Sequence, residues 1–194
     1  MNLQIYDEFI PGTKLKQSQM DGLTGLDFLK KVFFISDGVM LTQIRDISGI
    51  DSSTLQNWTK RGWVANAKLK KYNIDQVAHI LIINMLRSCI QLDHIAFLLQ
   101  YINGKIDDTS DDIIRDSVLY DYICRILEAL TREDVASKAT IKAVIHDQIA
   151  NYEEVMPGAR ERLATALEII VTAYYAALIK KSSDEMLAHL MGSY

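Results

Sequence analysis

The stretch "LTQIRDISGIDSSTLQNWTK" (41–60) most constrains what this chain can fold into. Apolar residues recur at three-residue spacing in its first half, and Gly49 stands where that helix must end in a left-handed or tight conformation. Residues that favour the first position of a helix follow at once, so a second helix can start at Asp51, Ser52 or Ser53. The pattern predicts two short helices joined by a glycine turn, a helix-turn-helix unit.

The second of these helices is predicted to have two unlike faces. Leu55 and Trp58 face inward. The outer face carries hydrogen-bonding groups and no carboxylate: Ser53, Gln56, Asn57 and Lys60. Glutamine and asparagine side chains can pair bidentately with adenine, and lysine can reach guanine or phosphate. The outer face could therefore read DNA, or it could be an ordinary exposed helix face.

The segment "WVANAKLKKYN" (63–73) is predicted to be a short hairpin, or wing. We expect Trp63 and Val64 in its first strand, a turn near Asn66-Ala67, and then Leu69 and Tyr72. Lysines alternate with these positions, so they could lie along DNA phosphates beside the groove that the second helix enters.

Charge is distributed unevenly along the chain. The 194 residues carry a formal net charge of -4, yet the window 41–72 has six basic residues and two acidic ones. The acidic excess lies mostly after residue 104 and begins with "DDTSDD" (107–112). This asymmetry indicates a head that meets an anion and a body that does not, although a solvated basic loop would give the same composition.

Further helices are predicted on both sides of the head. Residues 1–20 have no clear period and are expected to be an extended or poorly ordered lead, followed by a helix over about 23–36. After the wing, Asn73 and Gln76 form a capping pair ahead of an almost wholly apolar helix, which should be buried. Asn84 in that helix is expected to be a hydrogen-bonded core or interface residue. One more helix should follow from residue 92 to about residue 104.

The acidic half is predicted to be a helical bundle with helices over about 110–130, 131–152 and 157–181, and a short tail helix from residue 182. Their expected N-terminal caps are Ser110, Thr131 and Ser182. The apolar stretch 166–179 could be core or the seam of a homodimer. Its paired tyrosines could line a ligand cavity, but aromatic residues at helical spacing are more typical of core.

Several classes of function have little support. The four histidines are scattered without zinc-binding spacing, and the sequence has no phosphate loop, dinucleotide glycine pattern or nucleophile elbow. We therefore expect no enzyme, no metal and no cofactor. Cys89 and Cys124 lie in apolar helical patterns and are predicted to be buried, reduced thiols. The longest aliphatic run, 80–83, is far shorter than the ~20 residues of a membrane span. We expect a cytoplasmic protein that does not enter a membrane.

The order of helix, turn, helix, wing, buried helix and amphipathic helix is similar to the head of the MerR-type winged helix-turn-helix regulators. The resemblance is carried by "LTQIRDISGIDSSTLQNWTKRGWV" and "KKYNIDQVAHILIINMLRSCIQLDHIAFLL". The whole chain also resembles a bacterial family known as domain of unknown function 1836, which implies the fold of the head but no target. In MerR-like heads the second helix enters the major groove and the wing rests on the DNA backbone.

The MerR-like resemblance implies which residues would meet DNA. Together with the polar and basic positions above, the predicted DNA-binding set is Ser53, Thr54, Gln56, Asn57, Lys60, Arg61, Lys68, Lys70, Lys71 and Tyr72. The sequence departs from the MerR pattern at Gln56, where an arginine is usual, and this removes a phosphate contact. The proline usual after the first wing strand is also missing, and no long dimerising helix is evident directly after Gly104.

The sequence as a whole predicts an all-α protein with a small β wing: a winged helix-turn-helix head and a C-terminal helical bundle. Its divisions are an N-terminal lead and helix (1–38), the head (39–104), and a dimerisation or sensing domain (105–194). The predicted function is sequence-specific binding of double-stranded DNA by a transcriptional regulator that acts as a homodimer on paired half-sites. The body could bind a small-molecule or protein effector. The alternative is a protein-interaction module whose head no longer binds DNA and whose body recruits a partner.

Overall fold

The computed structural model of the protein describes residues 8–34, 36–106, 108, 110–133 and 137–192. These residues form eight α-helices, a short 3-10 helix (Gln17–Met20) and one two-stranded sheet. The helices are α1 (Gly25–Val32), α2 (Leu41–Ser48), α3 (Ser52–Lys60), α4 (Ile74–Leu86), α5 (Leu92–Asn103), α6 (Asp116–Leu130), α7 (Lys138–Gln148) and α8 (Ala159–Gly192). The strands β1 (Val39–Met40) and β2 (Lys71–Tyr72) pair antiparallel. The prediction of a mostly helical protein with a small sheet is confirmed.

The centre of the molecule is α4, as its apolar sequence predicts. Residues 77–83 are all buried, and α4 packs against helices from both halves of the chain, including α1, α6 and α8. Its start is fixed by the predicted capping pair, in which Asn73 and Gln76 exchange side chain-to-backbone hydrogen bonds of 2.9 Å. A helix that is apolar on all sides can pack against several neighbouring helices at once. The buried residues of head and body therefore form one continuous hydrophobic cluster.

The N-terminal lead packs into this core from residue 8 onward, so the prediction of an extended or poorly ordered segment is wrong there; residues 1–7 lie outside the described residues. Ile10 is fully buried. The Tyr120 hydroxyl donates a 2.7 Å hydrogen bond to the Pro11 carbonyl, and the Asn84 amide donates one of 2.9 Å to the Gly12 carbonyl. Asn84 is thus a hydrogen-bonded interface residue, as predicted. The lead is held by contacts with distant residues, which leave no periodic pattern in its own sequence.

Two body helices begin later than predicted. The first, α6, starts at Asp116 rather than near Ser110, because Ile113 and Ile114 are both buried in the irregular segment before it. The second, α7, starts after Ser137, whose hydroxyl accepts a 3.1 Å hydrogen bond from the Thr140 N–H. The predicted cap, Thr131, instead follows the end of α6. Residues 134–136, which the prediction included in this helix, lie outside the described residues.

The last helix, α8, is continuous across residues 180–182, where an end and a new cap were predicted. No glycine or proline interrupts it between Ala159 and Met191. Lys180 and Asp184 also form an ion pair of 2.6 Å one turn apart, which supports the helix across the predicted break.

By length and composition α8 could cross a membrane, a property that the search for aliphatic runs overlooked. Core helices of soluble proteins share this property, and 44% of its most apolar window is buried inside the protein. The cytoplasmic location stays a prediction.

The two cysteines differ in exposure. Cys124 is buried in α6, as predicted, and burial raises the pKa of its thiol to about 12. Cys89 is exposed, contrary to the prediction. It lies three residues beyond the end of α4, so it does not share the buried surface of that helix.

Candidate nucleic-acid interface

The pair α2 and α3 is joined by the predicted tight turn. Gly49 has a φ of +74°, a conformation that glycine adopts without strain, and its N–H donates a 2.8 Å hydrogen bond to the Arg45 carbonyl. Asp51 caps α3 by accepting a 2.8 Å hydrogen bond from the Thr54 N–H. The two helices and their glycine turn are therefore formed by the residues that the sequence indicated.

The two faces of α3 are divided as predicted. Leu55 and Trp58 are each only 1% exposed and fix α3 to the core. The outer face presents exposed polar and basic side chains: Ser53, Gln56, Asn57 and Lys60. The Arg87 guanidinium, which follows α4, lies 5.7 Å from the centre of the Trp58 ring and adds a cation near this helix. The composition window 41–72 does not include Arg87, so the sequence analysis missed it.

The N-terminus of α3 carries the carboxylate of Asp51, whereas the outer face of the helix has no carboxylate. Asp51 accepts hydrogen bonds from the hydroxyls of Ser53 and Thr54 as well as from the Thr54 N–H. These bonds, of which that from Ser53 has the largest effect, hold the pKa of Asp51 well below its usual range. The hydroxyl protons of Ser53 and Thr54 are therefore occupied in capping. Each hydroxyl oxygen can still accept a hydrogen bond from an incoming donor.

The wing pairs differently from the prediction. β2 pairs with β1, the strand directly before α2, and residues 63–64 form no strand. Tyr72 lies opposite Val39 and is 7% exposed. Because side chains alternate along a strand, Lys71 faces outward and Tyr72 faces the core. Tyr72 therefore positions the wing from inside, and its predicted contact with DNA stays a prediction.

The turn of the wing lies at Leu69 and Lys70, and not at Asn66-Ala67. Both turn residues have positive φ, +50° and +63°. The flanking Lys68 and Lys71 exchange two backbone hydrogen bonds, of 3.0 and 2.9 Å. Two-residue turns with positive φ match the twist of the strands that they join, but they favour asparagine and glycine. Leucine and lysine give no such signal, which is why the sequence analysis placed the turn elsewhere.

Five exposed cations of the head have no carboxylate partner among the described residues. They are Lys60, Arg61, Lys68, Lys70 and Lys71. The remaining cation of the window, Arg45, lies 3.7 Å from a carboxylate oxygen of Asp46. These five cations, which lack a carboxylate partner by this criterion, are together called the basic surface below. Outside the window, the exposed Lys14 has its side chain beside Gly49.

A buried histidine joins the head to the body. Nδ1 of His79, on α4, lies 2.9 Å from the Asp116 carboxylate, and Nε2 lies 3.0 Å from the Trp63 carbonyl. The Trp63 carbonyl and an ionised Asp116 carboxylate can only accept, so both contacts are hydrogen bonds when the ring is an imidazolium. Burial alone would lower the pKa of His79, but the Asp116 charge and the two hydrogen bonds outweigh it and raise the pKa above the usual value. The scattered histidines gave no signal for this bridge.

The bridge and the nearby Asp112 make stability depend on pH. Burial and the charges of neighbouring aspartates raise the pKa of Asp112 to about 6. A group with a raised pKa stabilises the fold below its unfolded pKa, and this contribution is lost as pH rises through the folded pKa. We therefore expect the free energy of unfolding to fall from about pH 4 through about pH 6, where Asp112 titrates, and to fall further above about pH 6.5 as His79 loses its proton. After allowance for solvent screening, Asp112 should contribute about 1 kcal/mol of this fall.

Urea denaturation at pH 5.5 and pH 8 measures this effect. Asp112→Asn should reduce the difference in stability between the two pH values. Asp147→Asn is the control, because Asp147 is exposed and is not among the charges that raise the pKa of Asp112. If both variants keep the full wild-type difference, Asp112 is not a source of the pH dependence.

A comparison with known protein families identifies the family to which this chain belongs. Residues 14–123 match a family model described as "Domain of unknown function (DUF1836)". The chain belongs to this family. The matched region of the DUF1836 protein runs from the lead into α6, so it includes the basic surface and the His79 bridge. The MerR-like resemblance of the head stays a prediction.

The DUF1836 protein is also similar to the "Uncharacterized protein YkrK" of Bacillus subtilis (strain 168). The two are 28% identical over 134 residues, which are 67% of this chain and 54% of YkrK. The chain thus spans about half the length of the curated relative that it matches. No solved structure matches the chain.

Proposed function

We propose that this DUF1836 protein is a sequence-specific DNA-binding transcriptional regulator. The observation that carries the proposal is the basic surface, whose five cations have no carboxylate partner among the described residues. The same part of the chain contains α3, whose outer face carries amides, a hydroxyl and a lysine. Uncompensated cations suit phosphates, and amide side chains suit base edges. The MerR-like resemblance supports the same assignment, with α3 as the reading helix.

The residues of the head take different roles in this proposal. Gln56 and Asn57 read base edges in the major groove, because amide side chains carry both a donor and an acceptor. Lys60 and Arg61, at the end of α3, bind phosphate. The lysines of the wing lie along the DNA backbone. Ser53 and Thr54 can accept hydrogen bonds through the oxygens of their capping hydroxyls.

The turn of the wing gives independent support. Leu69 is 97% exposed and has a positive φ, although leucine rarely adopts this conformation. Backbone strain of this kind tends to persist where function requires it. An apolar side chain at the tip of a lysine-rich wing suits contact with sugars or with the floor of a minor groove.

The salt dependence of binding tests the proposal. If the five cations neutralise phosphates, log affinity for duplex DNA should fall against log salt with a slope of about -4.5 per head. Lys70→Gln/Lys71→Gln should flatten the slope by about 2. Lys30→Gln/Lys138→Gln is the matched control, because it removes two exposed lysines from outside the head and should leave the slope unchanged. An unchanged slope for the wing variant would exclude the wing from the interface.

We propose further that the regulator is a homodimer and that the seam is the end of α8. Most of the predicted seam, 166–179, is used inside the chain, where Leu167, Ile170 and Tyr174 are buried. Beyond it, the last turns of α8 expose apolar side chains at helical spacing, each 51–71% exposed: Ile179, Met186, Leu187, Leu190 and Met191. A second copy of α8 could cover this face, and paired half-sites require two heads.

Leu187→Glu/Leu190→Glu should convert the dimer to a monomer. Burial of one leucine is worth about 1.5–3 kcal/mol, so charging two leucines in each copy should weaken association at least ~100-fold. Sedimentation equilibrium measures association, and circular dichroism should show unchanged helix content because both residues are exposed. Glu185→Lys is the control, since it changes the charge of an exposed residue on the side of α8 that faces away from these two leucines. A variant that associates as strongly as the wild type would exclude this seam.

A further inference from the structure

A cleft of about 880 Å³ opens between the loop after α3 and the segment that leads into α6. Residues 62–68 form one wall, and residues 104–106 and 112–116 form the other. Side chains of α4 and α5, among them His79 and Leu99, form the floor. The volume is within the range of about 300–1,000 Å³ that is typical of pockets for small molecules.

The lining combines apolar surface with a few polar groups, as ligand sites do. Trp63, Leu99, Ile106 and Ile113 supply the apolar part.

Most polar groups at the base of the cleft are already paired. Asp116 binds His79 at 2.9 Å and accepts a 3.2 Å hydrogen bond from the Asn103 amide. Asp75 binds the Arg115 guanidinium at 2.8 Å. These groups are therefore satisfied without a ligand.

Asp112 is the exception in this lining. Asp112 is partly buried, and its carboxylate has no hydrogen bond or ion pair with any other described residue. The carboxylates of Asp75 and Asp116 raise its pKa through their charge, in addition to the effect of burial. Lys68 and Lys105, the unpaired cations of the lining, are exposed and solvated. At neutral pH a largely ionised carboxylate thus faces the cleft without a directly bonded cation among the described residues, because protonated His79, whose pKa its charge helps to raise, is hydrogen-bonded to Asp116 instead.

We propose that the cleft binds a small organic cation, with an ammonium group on Asp112 and an apolar body against Trp63. An ammonium group would supply the direct ion pair that Asp112 lacks among the described residues and could donate to its carboxylate oxygens. The Trp63 ring, which lines the cleft and already stacks with the Arg61 guanidinium, offers a flat apolar surface for the body of the ligand. A carboxylate or phosphate placed beside Asp112 is disfavoured, because the charges of Asp116 and Asp75 also act at that point.

The site has a direct route to the basic surface. The Arg61 guanidinium stacks 5.0 Å from the centre of the Trp63 ring, so a ligand on Trp63 acts on a cation of that surface. The Gln76 amide holds the same wall by donating to the Asn66 carbonyl at 2.9 Å. Ligand and DNA should therefore change each other's affinity by an equal factor. This coupling rests on the proposed function, whereas the ligand site does not.

Three indole compounds that differ in charge test the site: tryptamine, neutral tryptophol and anionic indole-3-propionate. Calorimetry on the full chain at pH 7.5, without DNA, should show that tryptamine binds about tenfold more tightly than tryptophol, with indole-3-propionate weakest. In nuclear magnetic resonance spectra tryptamine should shift the indole N–H signal of Trp63 and leave that of the buried Trp58 unchanged. Failure of tryptamine to bind, or equal binding of all three compounds, would overturn the proposal.

Two variants locate the charge that tryptamine recognises. Asp112→Asn should remove the advantage of tryptamine over tryptophol, whereas Asp147→Asn, which changes an exposed aspartate outside the lining, should keep it. Persistence of the advantage in Asp112→Asn would overturn the assignment to Asp112. Because DNA is absent from these measurements, their outcome is independent of whether the head binds DNA. An unchanged DNA affinity in saturating tryptamine would overturn the coupling alone.

Discussion

Replacement of both Gln56 and Asn57 by alanine is expected to reduce the preference for a selected DNA site about 1,000-fold. Each bidentate pair between an amide side chain and adenine discriminates by about 1–3 kcal/mol, so two such pairs supply about 4 kcal/mol. Both side chains are exposed on α3, and the residues that fix α3 to the core remain. The fold and the general affinity for DNA should therefore be unchanged.

Competition between the selected duplex and a scrambled duplex measures this preference. Gln91→Ala/Asn151→Ala is the matched control, because it truncates one exposed glutamine and one exposed asparagine outside α3 and the wing. The control should keep the wild-type preference. If Gln56→Ala/Asn57→Ala also keeps it, α3 is not the reading helix. If the variant weakens binding to both duplexes equally, the face binds the backbone and carries no sequence information.

Gly12→Ala is expected to destabilise the protein by about 3 kcal/mol. A Cβ on Gly12 would overlap the Leu81 carbonyl oxygen and lie 2.9 Å from the carbonyl carbon, in the middle of α4. Relief of this overlap must move the lead away from α4 and weaken the hydrogen bond from Asn84 to the Gly12 carbonyl. The positive φ of +74° adds a conformational cost for alanine.

Gly22→Ala separates the two costs. Gly22 has nearly the same φ, +76°, but a Cβ there meets nothing within 4 Å. It should therefore lose only about 1 kcal/mol, the cost of the left-handed conformation. Urea denaturation of both variants gives the difference. Equal losses would mean that the lead does not press against α4 as described.

Local signals account for the parts of the fold that the sequence predicted well. Gly49 and Asp51 act on neighbouring residues, so the junction of α2 and α3 could be found without tertiary information. The start of α4 could also be found without tertiary information, from the capping pair Asn73 and Gln76 and the apolar run that follows it. The lead could not be predicted, because its order depends on Tyr120 and Asn84, which are far away along the chain.

The basic surface could be found from composition, but its connections could not. Charge counting identified its five cations, whereas the turn at Leu69 and Lys70 lacks the glycine or asparagine that would have marked it. The inward position of Tyr72 follows from strand alternation only once its pairing with Val39 is known. The bridge through His79 joins residues 37 positions apart, and no spacing rule connects them.

Selection from a randomised duplex library at about 0.1 M salt tests the DNA-binding proposal most directly. The purified protein is incubated with the library, and the retained duplexes are sequenced. We expect enrichment of an inverted repeat whose half-sites lie about one helical turn, or a multiple of it, apart. Retention of a random mixture by folded protein would contradict sequence-specific recognition and would direct the search to a protein partner of the helical body.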